Sequence, residues 1–254
     1  MTASTSPRRL GEHHPGTAGA TRIAQGAFAV VYAGHFLLHL GRLLIPRDYR
    51  GLVSMALFVV LFCLGCFGFR RRLARAARQI AARRRRAALI LLAGLIGALA
   101  AETAGYWLSD LLLRVTGLSG AALQNDDGVL RISNMLPPLL FVAVAGVLGP
   151  FVEELFFRQL LIELIERYSR ARVAVLVSGT LFGAMHMSAF TLSETLNVIG
   201  YVVFGIACGV LYVASGRNLW YPVILHVLVD LSAFAPLLLQ WVLQSGPAAP
   251  EPLV

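Results

Sequence analysis

Charge is scarce in this chain: only 14% of its 254 residues are Asp, Glu, Lys or Arg, and none of the 22 basic residues is lysine. With 57% hydrophobic residues and a mean hydropathy of +0.73, that scarcity excludes a soluble domain, which has no use for so much apolar surface. Cysteine is sparse as well. Cys63, Cys66 and Cys208 all lie in apolar segments; the Cys63-x-x-Cys66 pair lacks the βαβ surroundings of a soluble redox motif and reads as packing. No internal repeat stands out. No secretory signal is evident either, since Arg8 and Arg9 lie far from the first apolar run, itself long enough to span.

What is present is a series of hydrophobic runs near the ~20 residues that cross a bilayer as helix. They fall at about 25–45, 51–69, 87–113, 135–165, 172–190, 195–214 and 219–243. A break around Pro236 in the last run would raise seven spans to eight. The expected fold class is therefore all-α, a polytopic transmembrane helical bundle. Residues 1–22 read as a disordered tail, in which His13-His14 supports nothing beyond adventitious metal binding. Residues 23–86 read as two spans and a basic cytoplasmic loop, 87–243 as the main bundle, and 244–254 as a short tail.

The net charge of +9 would suggest nucleic acid in a soluble protein, but no fold signal supports that partner. Arg70-Arg71-Arg72 through Arg83-Arg84-Arg85-Arg86 instead marks a cytoplasmic segment by the positive-inside rule and suits anionic lipid headgroups. This orientation puts the N-terminus inside, Asp126-Asp127 outside, and Arg167, Arg170, Arg172 and Arg217 inside. The signs agree. Trp220 and Tyr221 fall where an interfacial aromatic belt is expected.

The costliest residues sit in Gly149-Pro150-Phe151-Val152-Glu153-Glu154-Leu155-Phe156-Phe157-Arg158. Two carboxylates and a guanidinium inside a membrane-embedded run default to a functional-site hypothesis; the plainer alternative is a structural ion pair. In a helix Glu154 and Arg158 share a face, with the acid on the favoured N-terminal side. Glu153 lies about 100° round the axis, so one carboxylate is neutralised while its neighbour stays free. Pro150 interrupts the preceding helix, which would let a half-helix begin here with its positive end near the acids.

Further polar residues punctuate other spans. Phe182-Gly183-Ala184-Met185-His186 lies in the fifth run, and His226-Val227-Leu228-Val229-Asp230 in the seventh. His226 and Asp230 are four apart and share a face. Counting helical rise from the assumed cytoplasmic ends brings Glu153 and His186 to similar depth, about 20 Å, so they are expected to meet. His35, His39 and Arg42 form another stripe; His39 is expected to contact Glu102 structurally, with a metal or haem site on His35 and His39 as the sharper alternative. Gly205-x-x-x-Gly209 reads as close helix packing.

Glu153-Glu154-x-x-x-Arg158, Phe182-x-x-x-His186 and His226-x-x-x-Asp230, in this order on separate membrane helices, resemble the CPBP family. That family comprises the type II CAAX prenyl endopeptidases and the bacteriocin-processing or self-immunity proteins, also called Abi. The resemblance covers roughly residues 87–243. It implies an intramembrane endopeptidase with Glu153 as the general base on water, working with His186, and Glu154 and Arg158 as a supporting pair. His226 and Asp230 would face the oxyanion. The family usually carries Asn at the last position, and an ionised Asp cannot donate a hydrogen bond; Asp230 is then either protonated or orients His226.

No cofactor is required by this reading. If the chemistry is metal-dependent, Zn²⁺ is the candidate, with Glu153, His186 and His226 as ligands; no His-Glu-x-x-His helix is present, and Arg158 sets a cation beside the site. The expected partners are membrane lipid and an unprenylated peptide or membrane-protein tail as substrate. The expected location is a bacterial inner membrane, from the exclusive use of arginine. A non-catalytic self-immunity or scaffold protein, binding a peptide in the same cavity, is the alternative.

Overall fold

The computed structural model describes residues 15–120 and 123–245. His13-His14 and the C-terminal tail beyond Ser245 lie outside the described residues. The expected N-terminal tail is helical from Pro15 onward. α1 (Pro15–Tyr32) continues into a wide π turn over Ala33–Leu37, and a single helical turn follows at Gly41–Leu44. Then come α2 (Arg47–Ala82), α3 (Arg84–Val115) and α4 (Gln124–Met135). α5 (Pro138–Glu166), α6 (Ala171–Ala184), α7 (Leu192–Ala214) and α8 (Trp220–Ser245) complete the bundle.

The described residues are all helix and connecting turns, with no strand. Five helices, α2, α3, α5, α7 and α8, are long and apolar enough to cross a membrane, and the chain is an integral membrane protein. The fifth expected span is shorter than anticipated, because α6 has 14 residues and ends before His186. Pro236 does not split the last helix; α8 runs through it. In a packed bundle, neighbouring groups re-satisfy the carbonyl that proline leaves unpaired.

The basic segment is not a loop. α2 has 36 residues, or about 54 Å at the helical rise, against a hydrocarbon thickness of about 30 Å. Its surplus length carries Arg70–Arg78 out of the apolar layer, and a one-residue break at Arg83 turns the chain into α3. Several contacts gather the same end of the other helices around this hairpin. Arg72 pairs with Glu163 at 2.6 Å and Arg217 with Glu166 at 2.7 Å. Asn218 Nδ2 donates to Ala76 O at 2.9 Å, and Trp220 Nε1 to Leu73 O at 3.0 Å. Trp220 thus ties α8 to α2, and Tyr221 is buried.

α5 is the axis of the bundle: 67% of its most apolar window is buried, against 11% for α3. The outer helices present leucine, isoleucine and tryptophan outward (Leu89, Leu92, Ile96 and Trp107 on α3), as lipid contact requires. α6 and α7 approach so closely that Gly179, Gly183 and Gly205 have no room for a side chain. A Cβ on Gly183 would lie 2.8 Å from Val202 N, and one on Gly205 3.0 Å from Gly179 O. The small-residue packing expected of Gly205 is present, and two glycines of α6 complete it.

Candidate active site

α5 is wound unevenly. A π turn over Val144–Leu148 precedes Pro150, and a second π segment spans Leu155–Ile162. Proline cannot donate to the preceding turn and its ring crowds that turn's carbonyl; the widened turn, closed by Gly149 N–H on Val144 O, accommodates both problems without ending the helix. The half-helix N-terminus expected at Gly149-Pro150 is therefore absent, and the acids are not at a helix end. Widened turns of this kind recur at functional sites because they re-aim side chains.

Glu154 and Arg158 are fully buried and joined as a fork. Arg158 Nε donates to Glu154 Oε2 at 2.7 Å and Nη2 to Oε1 at 3.1 Å. The remaining edge, Nη1, donates to Ser178 Oγ on α6 at 3.1 Å, and that hydroxyl donates to Phe157 O at 2.9 Å. Phe182 receives the guanidinium on its face, 5.3 Å from the ring centre. A bidentate pair in which all three guanidinium nitrogens are bonded is a form in which buried ions are tolerated.

Glu154 Oε1 also accepts from His226 Nδ1 at 3.0 Å. This bond leaves His226 Nε2 pointing at Glu153 Oε2, 3.9 Å away, and Asp230 Oδ1, 3.6 Å away. Both gaps exceed a direct hydrogen bond and suit a bridging water. Among the described residues Glu153 accepts no hydrogen bond. Side-chain exposure rises from 0% at Glu154 through 13% at Glu153 to 28% at Asp230, so the cluster is sealed on the Arg158 side and opens past Asp230. The rings of Phe182 and Phe204 meet His226 edge-on at 5.6 and 5.0 Å, fixing its plane.

The two carboxylates of the Glu-Glu pair thus occupy opposite nitrogens of one imidazole. His186 is placed differently from expectation. It lies in the turn after α6, its Nδ1 donating to Phe182 O at 2.9 Å and its ring stacked on Tyr201 at 4.2 Å. No hydrogen bond or ion pair joins it to Glu153; α6 ends two residues before it, at Ala184. Phe182 touches both imidazoles, at 5.2 Å from His186. The Nδ1–H bond to a carbonyl leaves His186 Nε2 as an acceptor.

Other expectations need correction. His39 turns back on Leu37 O at 3.3 Å and His35 meets Ser54 Oγ at 2.9 Å. Neither forms a pair with Glu102, which lies within electrostatic range of Tyr106, His226 and Asp230. Among the described residues no group of three His, Cys, Asp or Glu is arranged to hold a metal. Glu153, His186 and His226 do not converge as a ligand set. Sequence reasoning missed Ser178, Tyr201 and Phe204. Ser178 carried a signal: with Phe182 and His186 it continues one stripe at four-residue spacing.

Fold and cluster together define a class: a helical integral membrane protein holding carboxylates, a guanidinium and an imidazole inside its bundle. Residues 135–232, which contain every residue of that cluster, match the family model described as "Type II CAAX prenyl endopeptidase Rce1-like". Over this stretch the chain is similar to that family, as the order of its motifs suggests. A Bacillus subtilis (strain 168) protein named "Putative membrane peptidase YdiL" is 23% identical over 111 residues, 44% of this chain and 42% of that protein. The match thus spans less than half of either length. No solved structure matches the chain.

Proposed function

We propose that this protein is an intramembrane endopeptidase in which Glu153 is the general base. The observation that carries the reading is the unbonded Glu153 carboxylate facing His226 Nε2 at 3.9 Å, while Glu154 and Arg158 hold that histidine from behind. A water in this gap would give its proton to Glu153 as its oxygen attacks the peptide carbonyl carbon. As an imidazolium held by its Nδ1–H bond to Glu154, His226 then turns its second donor, Nε2–H, toward the developing oxyanion. As the C–N bond breaks, Glu153 passes the proton to the leaving amine. His186, with its acceptor nitrogen and its stack on Tyr201, lies across the Phe182 ring from His226 and would position water or substrate. Asp230, on the open side, orients His226 or the incoming peptide.

The membrane setting restricts the substrate to a chain able to enter a lipid-shielded cavity. An unprenylated peptide or membrane-protein tail fits, in a bacterial plasma membrane with the Arg70–Arg86 hairpin cytoplasmic. Arg167, Arg170, Arg172 and Arg217 support that orientation, since they cluster at the hairpin end of the bundle with Glu163 and Glu166 as the acids there. The purified protein, incubated with a tagged peptide library with and without a chelator, tests the reading. Cleavage should survive the chelator and disappear in Glu153→Gln and His226→Ala proteins that still insert and fold. Peptide capture that persists in Glu153→Gln, with no turnover by the unaltered protein, would make the chain a binding module.

A further inference from the structure

Glu194 is a second buried carboxylate, outside the cluster described above and 2% exposed. It lies in the first turn of α7, where Thr191 Oγ1 accepts from its backbone N–H at 3.2 Å. That is half of a capping box, whose usual second half is a glutamate returning to the cap residue's own N–H. Glu194 does something else with its side chain. Oε2 accepts from Ser188 N at 2.7 Å and Oε1 from Gln124 N at 3.0 Å. One carboxylate therefore ties the turn carrying His186 to the first residue of α4. On the far side of that turn, Arg42 donates to Ser188 O and, at 3.4 Å, to Met187 O. The peptide between Met187 and Ser188 is gripped from both sides.

This grip bears on His186. α6 stops at Ala184, so nothing helical holds the imidazole. Its place is set by Phe182 O behind it, by the Tyr201 ring against it, and by the chain leaving it at Ser188. Tyr201 stands two helical turns after Glu194 on α7, and its hydroxyl donates to Asp126 of α4 at 3.1 Å. The same two elements that Glu194 joins are thus joined again at the ring on which His186 rests. We infer that Glu194 is a positioning residue: its carboxylate clamps the turn after α6 to α4, and so fixes His186 between Phe182 and Tyr201. This role rests on the endopeptidase reading for its catalytic consequence, but not for its structural one.

The test uses the full-length protein in lipid nanodiscs, with Glu194→Ala and Glu194→Gln. Amide exchange at Ser188 and Gln124 should quicken about tenfold or more in Glu194→Ala, with the Gly179–Gly205 contact of α6 and α7 unchanged. Modification of His186 by diethyl pyrocarbonate should accelerate in parallel. Glu194→Gln keeps one acceptor oxygen and opposes the second N–H with its own, so it should be intermediate in both. On a cleaved peptide, kcat should fall about 100-fold in Glu194→Ala and about tenfold in Glu194→Gln, with KM within twofold. Unchanged exchange and unchanged His186 reactivity in both variants would overturn the clamp, whatever the activity. Altered His186 reactivity with unaltered kcat would overturn its catalytic consequence. Absence of cleavage by the unaltered protein would sink the endopeptidase reading while the exchange and labelling results still decide the clamp.

Discussion

Arg158 and His226, from helices far apart in the chain, share one carboxylate: both donate to Glu154 Oε1, at 3.1 and 3.0 Å. The ion pair that neutralises Glu154 is therefore also the device that sets the imidazole. Arg158→Met is expected to strand a buried carboxylate and cost about 3–5 kcal/mol, enough to lower the unfolding temperature in detergent by several degrees or prevent recovery of folded protein. Arg158→Lys should also be destabilised, because an ammonium cannot reproduce the fork onto Glu154 and the third bond to Ser178. An Arg158→Lys protein with native stability and activity would show that charge alone suffices.

The approach of α6 to α7 makes a graded prediction. A Cβ at Gly183 meets the backbone of Val202, which cannot yield, whereas one at Gly209 meets the Val175 side chain at 3.1 Å. Gly183→Ala should cost about 1–3 kcal/mol through overpacking and should also depress cleavage, since Phe182 and His186 lie on the displaced segment. Gly209→Ala should be milder on both counts. Thermal unfolding and turnover of the two variants, measured together, check the order.

Asp230 stands 3.6 Å from His226 Nε2 on the open side of the cluster. Asparagine there is nearly isosteric and supplies N–H donors that an ionised carboxylate lacks. Asp230→Asn is expected to raise kcat several-fold on a peptide substrate, and Asp230→Ala to lower it. A loss of turnover in Asp230→Asn would instead mark the negative charge as the feature that orients His226.

The arginine hairpin makes a topological prediction. Replacing Arg83–Arg86 with alanine should leave the fold intact, because these side chains are exposed, but weaken the orientation preference of α2 and α3. Cysteine accessibility from the two sides of intact cells would then report a mixed population, where the unaltered protein reports one.

Much of this was visible in the residues themselves. Composition and run length dictate a helical membrane bundle, because apolar helices are among the few structures whose backbone polar groups are satisfied in lipid. Four-residue spacing dictates that Glu154 meets Arg158 and that His226 and Asp230 share a face, because the helical period is local. Which imidazole faces Glu153 is not local. It depends on α6 ending at Ala184, on the widened turns that keep α5 continuous through Pro150, and on glycines that bring α6 and α7 together. Those features place His226 against Glu153 and set His186 on Tyr201. They likewise turn Glu194 away from its own helix cap toward two distant N–H groups. The sequence alone determined the class of molecule and the inventory of costly side chains, since each follows from short-range geometry and transfer energy. The partners of those side chains were decided only by tertiary packing, because a carboxylate buried among apolar helices takes whichever donors the neighbouring backbones bring within about 3 Å.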